Sequence, residues 1–234
     1  MIKFRSVFFV FAALITASHV KAQTVDEIIN KYINALGGKE KITSLNTVKI
    51  SGTISQNGND ISLVITKKNK VGSRLDFSVA GTENYQIVTP AKGISFMPIR
   101  GMTEPTEMTE AEFKSGQTLL DIQSPLLDYK EKGNTVELLG NEKVDNEDCY
   151  KLKLTYKNGI TLNLFISLKD YRNIKTIGKR TVNGEEMEFE TKLSNYKQNA
   201  DGYWFAYTII SNVQGETNFD KIETNIPVDE SIFK

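Results

Sequence analysis

The chain has 234 residues, with 29 basic and 29 acidic side chains, one histidine and one cysteine. A start with Lys3 and Arg5, an apolar run from Val7 to Ile15 and small residues at Val20-Lys21-Ala22 give residues 1–22 the pattern of a secretory signal, with cleavage predicted after Ala22. Removing it leaves 26 basic and 29 acidic residues and takes away His19, which excludes a Ser-His-Asp triad, any histidine-containing zinc site and a basic nucleic-acid-binding surface. The expected compartment is the periplasm. Cys149 has no partner for an internal disulfide and is read as structural.

Residues 23–234 read as one domain, because no Pro/Gly/Ser linker divides them. Thr24 and Glu27 form a capping-box pattern, and Val25, Ile28, Ile29, Tyr32, Ile33 and Leu36 follow as one apolar stripe, so a helix is predicted up to Gly37-Gly38. A short helical turn is expected over residues 39–45. From Thr47 the period changes to two. Val48, Ile50 and Ile54, then Ile61, Leu63 and Ile65, then Leu75, Phe77 and Val79 predict a three-strand meander, which residues 85–88 and 94–99 continue.

Four of the five prolines (Pro90, Pro98, Pro105 and Pro125) and three methionines (Met97, Met102 and Met108) lie between residues 90 and 125. Within this stretch Thr109 and Glu112 repeat the capping pattern, and Phe113, Leu119, Leu120 and Ile122 predict a second amphipathic helix. Methionine fits irregular apolar ligands as readily as irregular core gaps. The helix is either a lid or a plug for the open side of a sheet.

The rest of the chain reads as strands. Residues 149–166 hold two alternating runs around Asn158-Gly159, with Tyr150, Leu152, Leu154 and Tyr156 facing Ile160, Leu162, Leu164 and Ile166 across a tight type I′ turn. Residues 136–139 precede this hairpin. Residues 174–180, 187–196, 203–211 and 217–224 follow it, with a turn at Asn183-Gly184. Repeated hairpins without helices between them predict an antiparallel sheet that curls.

Five features carry a resemblance: the signal segment, the helix ending Ala35-Leu36-Gly37-Gly38, the V-K-I-S-G-T-I strand of residues 48–54, the strand Asp148-Cys149-Tyr150-Lys151-Leu152, and a tail from Ile226-Pro227 to Ile232-Phe233. In this order, over essentially the whole mature chain, they resemble exported proteins of the LolA/LolB-like superfamily, the outer-membrane lipoprotein-sorting fold. The resemblance implies a mainly β protein, a curved and unclosed antiparallel barrel with helices over its open side. It also implies an apolar cavity that takes the acyl chains of a lipid or lipoprotein. No lipid-attachment cysteine follows the signal segment, so the anchored-receptor role is not supported, and no cargo-gating residue of the carrier is matched here.

The candidate ligand-binding residues are Leu63, Ile65, Leu75, Phe77, Phe96, Leu152, Leu154, Leu162 and Leu164 on strands, and Met97, Met102, Phe113, Leu119 and Leu120 in the covering segment. Each is also an ordinary core candidate, since a domain of this size needs a core. No catalytic residue, metal or cofactor is expected. Glu186, Glu188 and Glu190 alternate as a solvated strand face does, Asp145, Glu147 and Asp148 crowd a turn, and Lys67, Lys68 and Lys70 end a hairpin where they meet anionic head groups or only water. The expected function is an exported, monomeric lipid or lipoprotein carrier, not an enzyme. The alternative is an envelope sensor or scaffold that uses the same fold to bind a protein partner.

Overall fold

The computed structural model describes residues 23–56, 58–182 and 185–234. The predicted signal segment and the Asn183-Gly184 turn lie outside the described residues. Helix α1 (Val25–Ala35) is capped as expected. Thr24 Oγ1 accepts from the Glu27 N–H at 3.2 Å and Glu27 Oε2 accepts from the Thr24 N–H at 3.0 Å, which satisfies two amides that the helix leaves free. Gly37 and Gly38, at φ of 110° and 90°, turn the chain into the short helix α2 (Lys39–Thr43).

Thirteen strands follow among the described residues. The first six are β1 (Thr47–Gln56), β2 (Asn59–Lys68), β3 (Gly72–Val79), β4 (Thr82–Val88), β5 (Gly93–Phe96) and β6 (Thr106–Glu107). Helix α3 (Glu110–Gly116) and a 3-10 turn (Gln117–Leu120) lead toward β7 (Thr135–Val144), β8 (Glu147–Thr155), β9 (Thr161–Ser167), β10 (Asn173–Val182), β11 (Glu185–Gln198), β12 (Trp204–Ser211) and β13 (Gly215–Thr224).

All the pairs are antiparallel and join in one sheet of order β6-β5-β4-β3-β2-β1-β13-β12-β11-β10-β9-β8-β7. Two meanders are thus stitched together by their first and last strands. The free edges are β6 and β7, which are neighbours in sequence. The segment between them has to cross the open side of the sheet, and that segment carries α3.

Three local expectations change. Strand β5 stops at Phe96, because Pro98 has no N–H for the ladder, and residues 98–100 form a 3-10 turn instead. Helix α3 ends at Gly116, short of Leu119 and Ile122. The β8–β9 loop is one residue longer than a type I′ turn: Gly159 donates to Tyr156 O, Tyr156 donates to Ile160 O, and Gly159, at φ 85°, takes the left-handed position without Asn158. The two apolar runs lie on the same side as expected, with Leu152 opposite Leu164 and Leu154 opposite Leu162, and the extra loop residue sets this register, since a two-residue turn would put Leu154 opposite Asn163.

The core lies where α1 meets β8 and β9. Ile28, Ile29 and Ile33 pack with Leu126, Leu127, Leu152, Leu154, Leu164 and Ile166, all at most 6% exposed. On the opposite sheet face, Cys149 and Phe165 are fully buried beside Val144. Burial pushes the Cys149 thiol up to about 11, as expected of an inert structural cysteine. The C-terminal tail crosses the outer face of β1–β3, where Lys68 pairs with Glu230 at 2.6 Å and Arg74 Nη1 donates to Ile232 O.

Candidate functional site

Register fixes which residues of the first meander share the inner face, the one the helices cover. Reading across β1, β2, β3 and β4, one row is Gly52, Leu63, Phe77 and Asn84, the next Ile50, Ile65, Leu75 and Gln86, and the third Val48, Lys67, Ser73 and Val88. The third row continues to Gly93 on β5. Val48, Ser73 and Val88 are buried, whereas Ile50, Ile65, Leu75 and Phe77 keep part of their apolar surface open.

The covering segment presses on that third row. A Cβ at Gly116 would stand 2.8 Å from Val88 Cγ2, and one at Gly93 would stand 2.7 Å from Met108 Sδ and 3.2 Å from Phe113, so both glycines permit the close seating of α3. Lys70 N donates to Leu120 O at 2.8 Å, and Ile122 N donates to Asn69 Oδ1. On the far side, Asn158 Nδ2 donates to Lys114 O at 2.8 Å, so α3 reaches from the β5 edge to the β8–β9 loop.

The covering segment has two differently held parts. Residues 121–134 are built in: Asp121 pairs with Lys132 at 2.7 Å with both side chains 20% exposed, Gln123 Nε2 donates to Thr43 O and Leu45 O, and Leu126 and Leu127 are in the core. Around them, burial raises the phenols of Tyr32, Tyr156 and Tyr196 above their ordinary value, so all three stay neutral. Helix α3 itself contains no buried residue, and Leu119 is 48% exposed.

The structure therefore sorts the sequence candidates. Leu63, Ile65, Leu75 and Phe77 share the inner rows of β2 and β3. Met97 is buried just past β5, where its N–H points to the Met102 sulfur at 3.2 Å, and Phe113 and Leu120 lie at the cover. Leu152, Leu154 and Leu164 are core under α1, with Leu162 packed against them. Phe96 is a correction. It pairs with Tyr85, which in turn pairs with Asp76, so it lies on the outer face, where its ring centroid is 5.4 Å from that of Tyr85. Leu119 points largely to solvent, because the 3-10 turn rotates it off the α3 stripe.

The polar groups singled out in the sequence are mostly paired. Glu186 meets Lys179 at 2.6 Å, Glu190 meets Lys175 at 2.7 Å, and Asp145 meets Lys192 at 3.0 Å. Trp204 is half-buried, with the Arg172 guanidinium 4.1 Å from its ring centroid. Lys67 was legible only as part of a basic cluster, and register now places it inside while Lys68 points out. Two depressions lie elsewhere: one of about 520 Å³ on the outer face between Arg74, Asp76 and the C-terminal tail, and one of about 380 Å³ beside β13.

No protein-family model matches the sequence, and no curated protein matches it. Among solved structures, a LolA superfamily protein from Nitrosomonas europaea is similar at 16% identity and a TM-score of 0.57, over 91% of this chain and 98% of that one. A DUF1329 family protein from Desulfovibrio piger is similar at 14% identity and a TM-score of 0.52, also over 91% of this chain and 98% of that one. The fold is that of LolA superfamily proteins, an unclosed antiparallel sheet with helices across its inner face.

Proposed function

We propose that the chain is an exported binding protein, not an enzyme, that carries a lipid or the acyl part of a lipoprotein on the inner face of β1–β4 beneath α3. The observation that carries this reading is the half-open apolar lining of Ile50, Ile65, Leu75 and Phe77 next to a cover that is itself unburied. Burying an acyl chain contributes roughly 0.8 kcal/mol per methylene, so binding on such a face needs few polar contacts. The fold shared with a LolA superfamily protein and the signal pattern of residues 1–22 support a periplasmic setting. No helix among the described residues is long and apolar enough to cross a membrane.

The test is native mass spectrometry with lipid extraction on mature protein purified gently from an envelope fraction, with displacement of a fluorescent fatty acid as a second readout. A bound mass that resolves into acylated species is expected. A clean apo mass with no probe displacement would overturn the carrier reading in favour of a scaffold that binds protein.

A further inference from the structure

Two sheltered lysines are held by carboxylates, while Lys49, partly buried and without an ion pair among the described residues, opens onto the outer-face depression. Lys132 is 20% exposed and meets Asp121 at 2.7 Å, and Lys175 is 17% exposed and meets Glu190 at 2.7 Å. Lys67 departs from both arrangements. Its side chain leaves the inner face of β2 between Val48 and Ser73, and it has neither an ion pair nor a hydrogen-bond acceptor among the described residues. Its neighbour Lys68 holds Glu230 on the outer face, so the alternation of the strand separates the two ammonium groups by the thickness of the sheet.

Lys67 is set deep on the inner face and still keeps part of its surface accessible. Burial alone pushes its ammonium down to about 8, with no carboxylate to offset the loss of water. At neutral pH it remains mostly charged. An unpaired charge in such a place is costly, and a bound anion would relieve that cost.

We propose that Lys67 is the polar end of the groove and takes the anionic head group, a carboxylate or a phosphate, of a single-chain amphiphile whose hydrocarbon lies along Ile65, Leu75 and Phe77. The geometry is consistent with that division: Lys67 is in the row that the covering segment presses on, and the open apolar side chains occupy the next two rows. This inference rests on the carrier reading and adds a head-group class to it.

The experiment compares tetradecanoate, tetradecyl phosphate and tetradecanol, each displacing the neutral dye N-phenyl-1-naphthylamine from the mature protein. In the wild type both anions should displace the dye at about tenfold lower concentration than the alcohol, as a charge-assisted contact would give. Lys67→Met should abolish that preference, so that both anions act at the concentration at which tetradecanol acts on the same variant, while Lys67→Arg should keep it. If Lys67→Met proves insoluble, Lys67→Gln serves the same comparison. A stronger effect of one anion identifies the head group. Equal displacement by all three in the wild type, or an anion preference that survives Lys67→Met, would overturn this inference alone. Failure of all three to displace the dye would overturn the carrier reading with it.

Discussion

One sheet face is covered in two different ways in this protein. Over β8 and β9 its leucines are closed off by α1, and Leu152, Leu154 and Leu164 are at most 6% exposed. Over β2 and β3 the same alternation yields Ile65, Leu75 and Phe77, which remain partly open beneath a helix with no buried residue. The strands are chemically alike, and the difference lies in what covers them. Helix α1 brings three isoleucines to at most 5% exposure, whereas α3 brings Gly116 and Phe113, and the segment leading into it Met108, to the edge of the rows.

The sharpest break in that comparison is a pair of truncations. Leu152→Ala should cost about 3 kcal/mol in urea unfolding, the usual loss for a fully packed leucine, and Leu164→Gln should cost at least as much because it also buries an amide without a partner. Both effects should appear without any specific loss of ligand affinity in the folded fraction. An unchanged unfolding midpoint for Leu152→Ala would mean that the β8–β9 half is not the core.

Next in size is the charge inside the other half. Since the pKa of Lys67 is lowered on folding, the charged form is disfavoured in the native state. Its cost is fully present below about pH 8, and it is relieved as pH rises from there toward the ordinary lysine value. Lys67→Met should therefore be about 2 kcal/mol more stable than the wild type at pH 7, with the gap closing by about pH 10. Cys149 works in the opposite direction. Its raised pKa contributes stability that is lost as pH climbs from 9 toward about 11, so only the difference between the two proteins isolates the lysine. A gap that does not change with pH would remove the buried-charge account.

Much of this architecture was legible because local chemistry and tertiary structure agree. The Thr24 and Glu27 pattern capped a helix, the alternation of residues 150–166 put both apolar runs on one face, and the run of turns gave an antiparallel sheet. What failed were features whose phase is reset between elements. Phe96 was grouped with Leu75 and Phe77 as though β3 and β5 kept one phase, but the loop at residues 89–92 put it on the outer face. Leu119 followed a helical stripe that a 3-10 turn broke. The inner position of Lys67 depends on pairing with Val48 and Ser73, distant partners that composition cannot supply. Separating core from groove was harder still, because Leu152 and Leu75 look alike until the helix above each is known.

Smaller effects test the open half directly. Leu75→Gln replaces a half-exposed side chain in the middle row, so its stability cost should stay below about 1 kcal/mol, while its effect on an acyl probe should reach about tenfold in Kd. Leu119→Ser, at a position 48% exposed on the cover, should change stability by no more than about 0.5 kcal/mol. The two substitutions separate a lining from a lid. If the groove binds by burial alone, Leu75→Gln weakens the probe and Leu119→Ser does not, because only the former lies against the inner rows. Equal weakening would mean that α3 and the turn after it fold down onto the ligand and bring Leu119 with them, and the ratio of the two dissociation constants, measured by probe titration, decides between these arrangements.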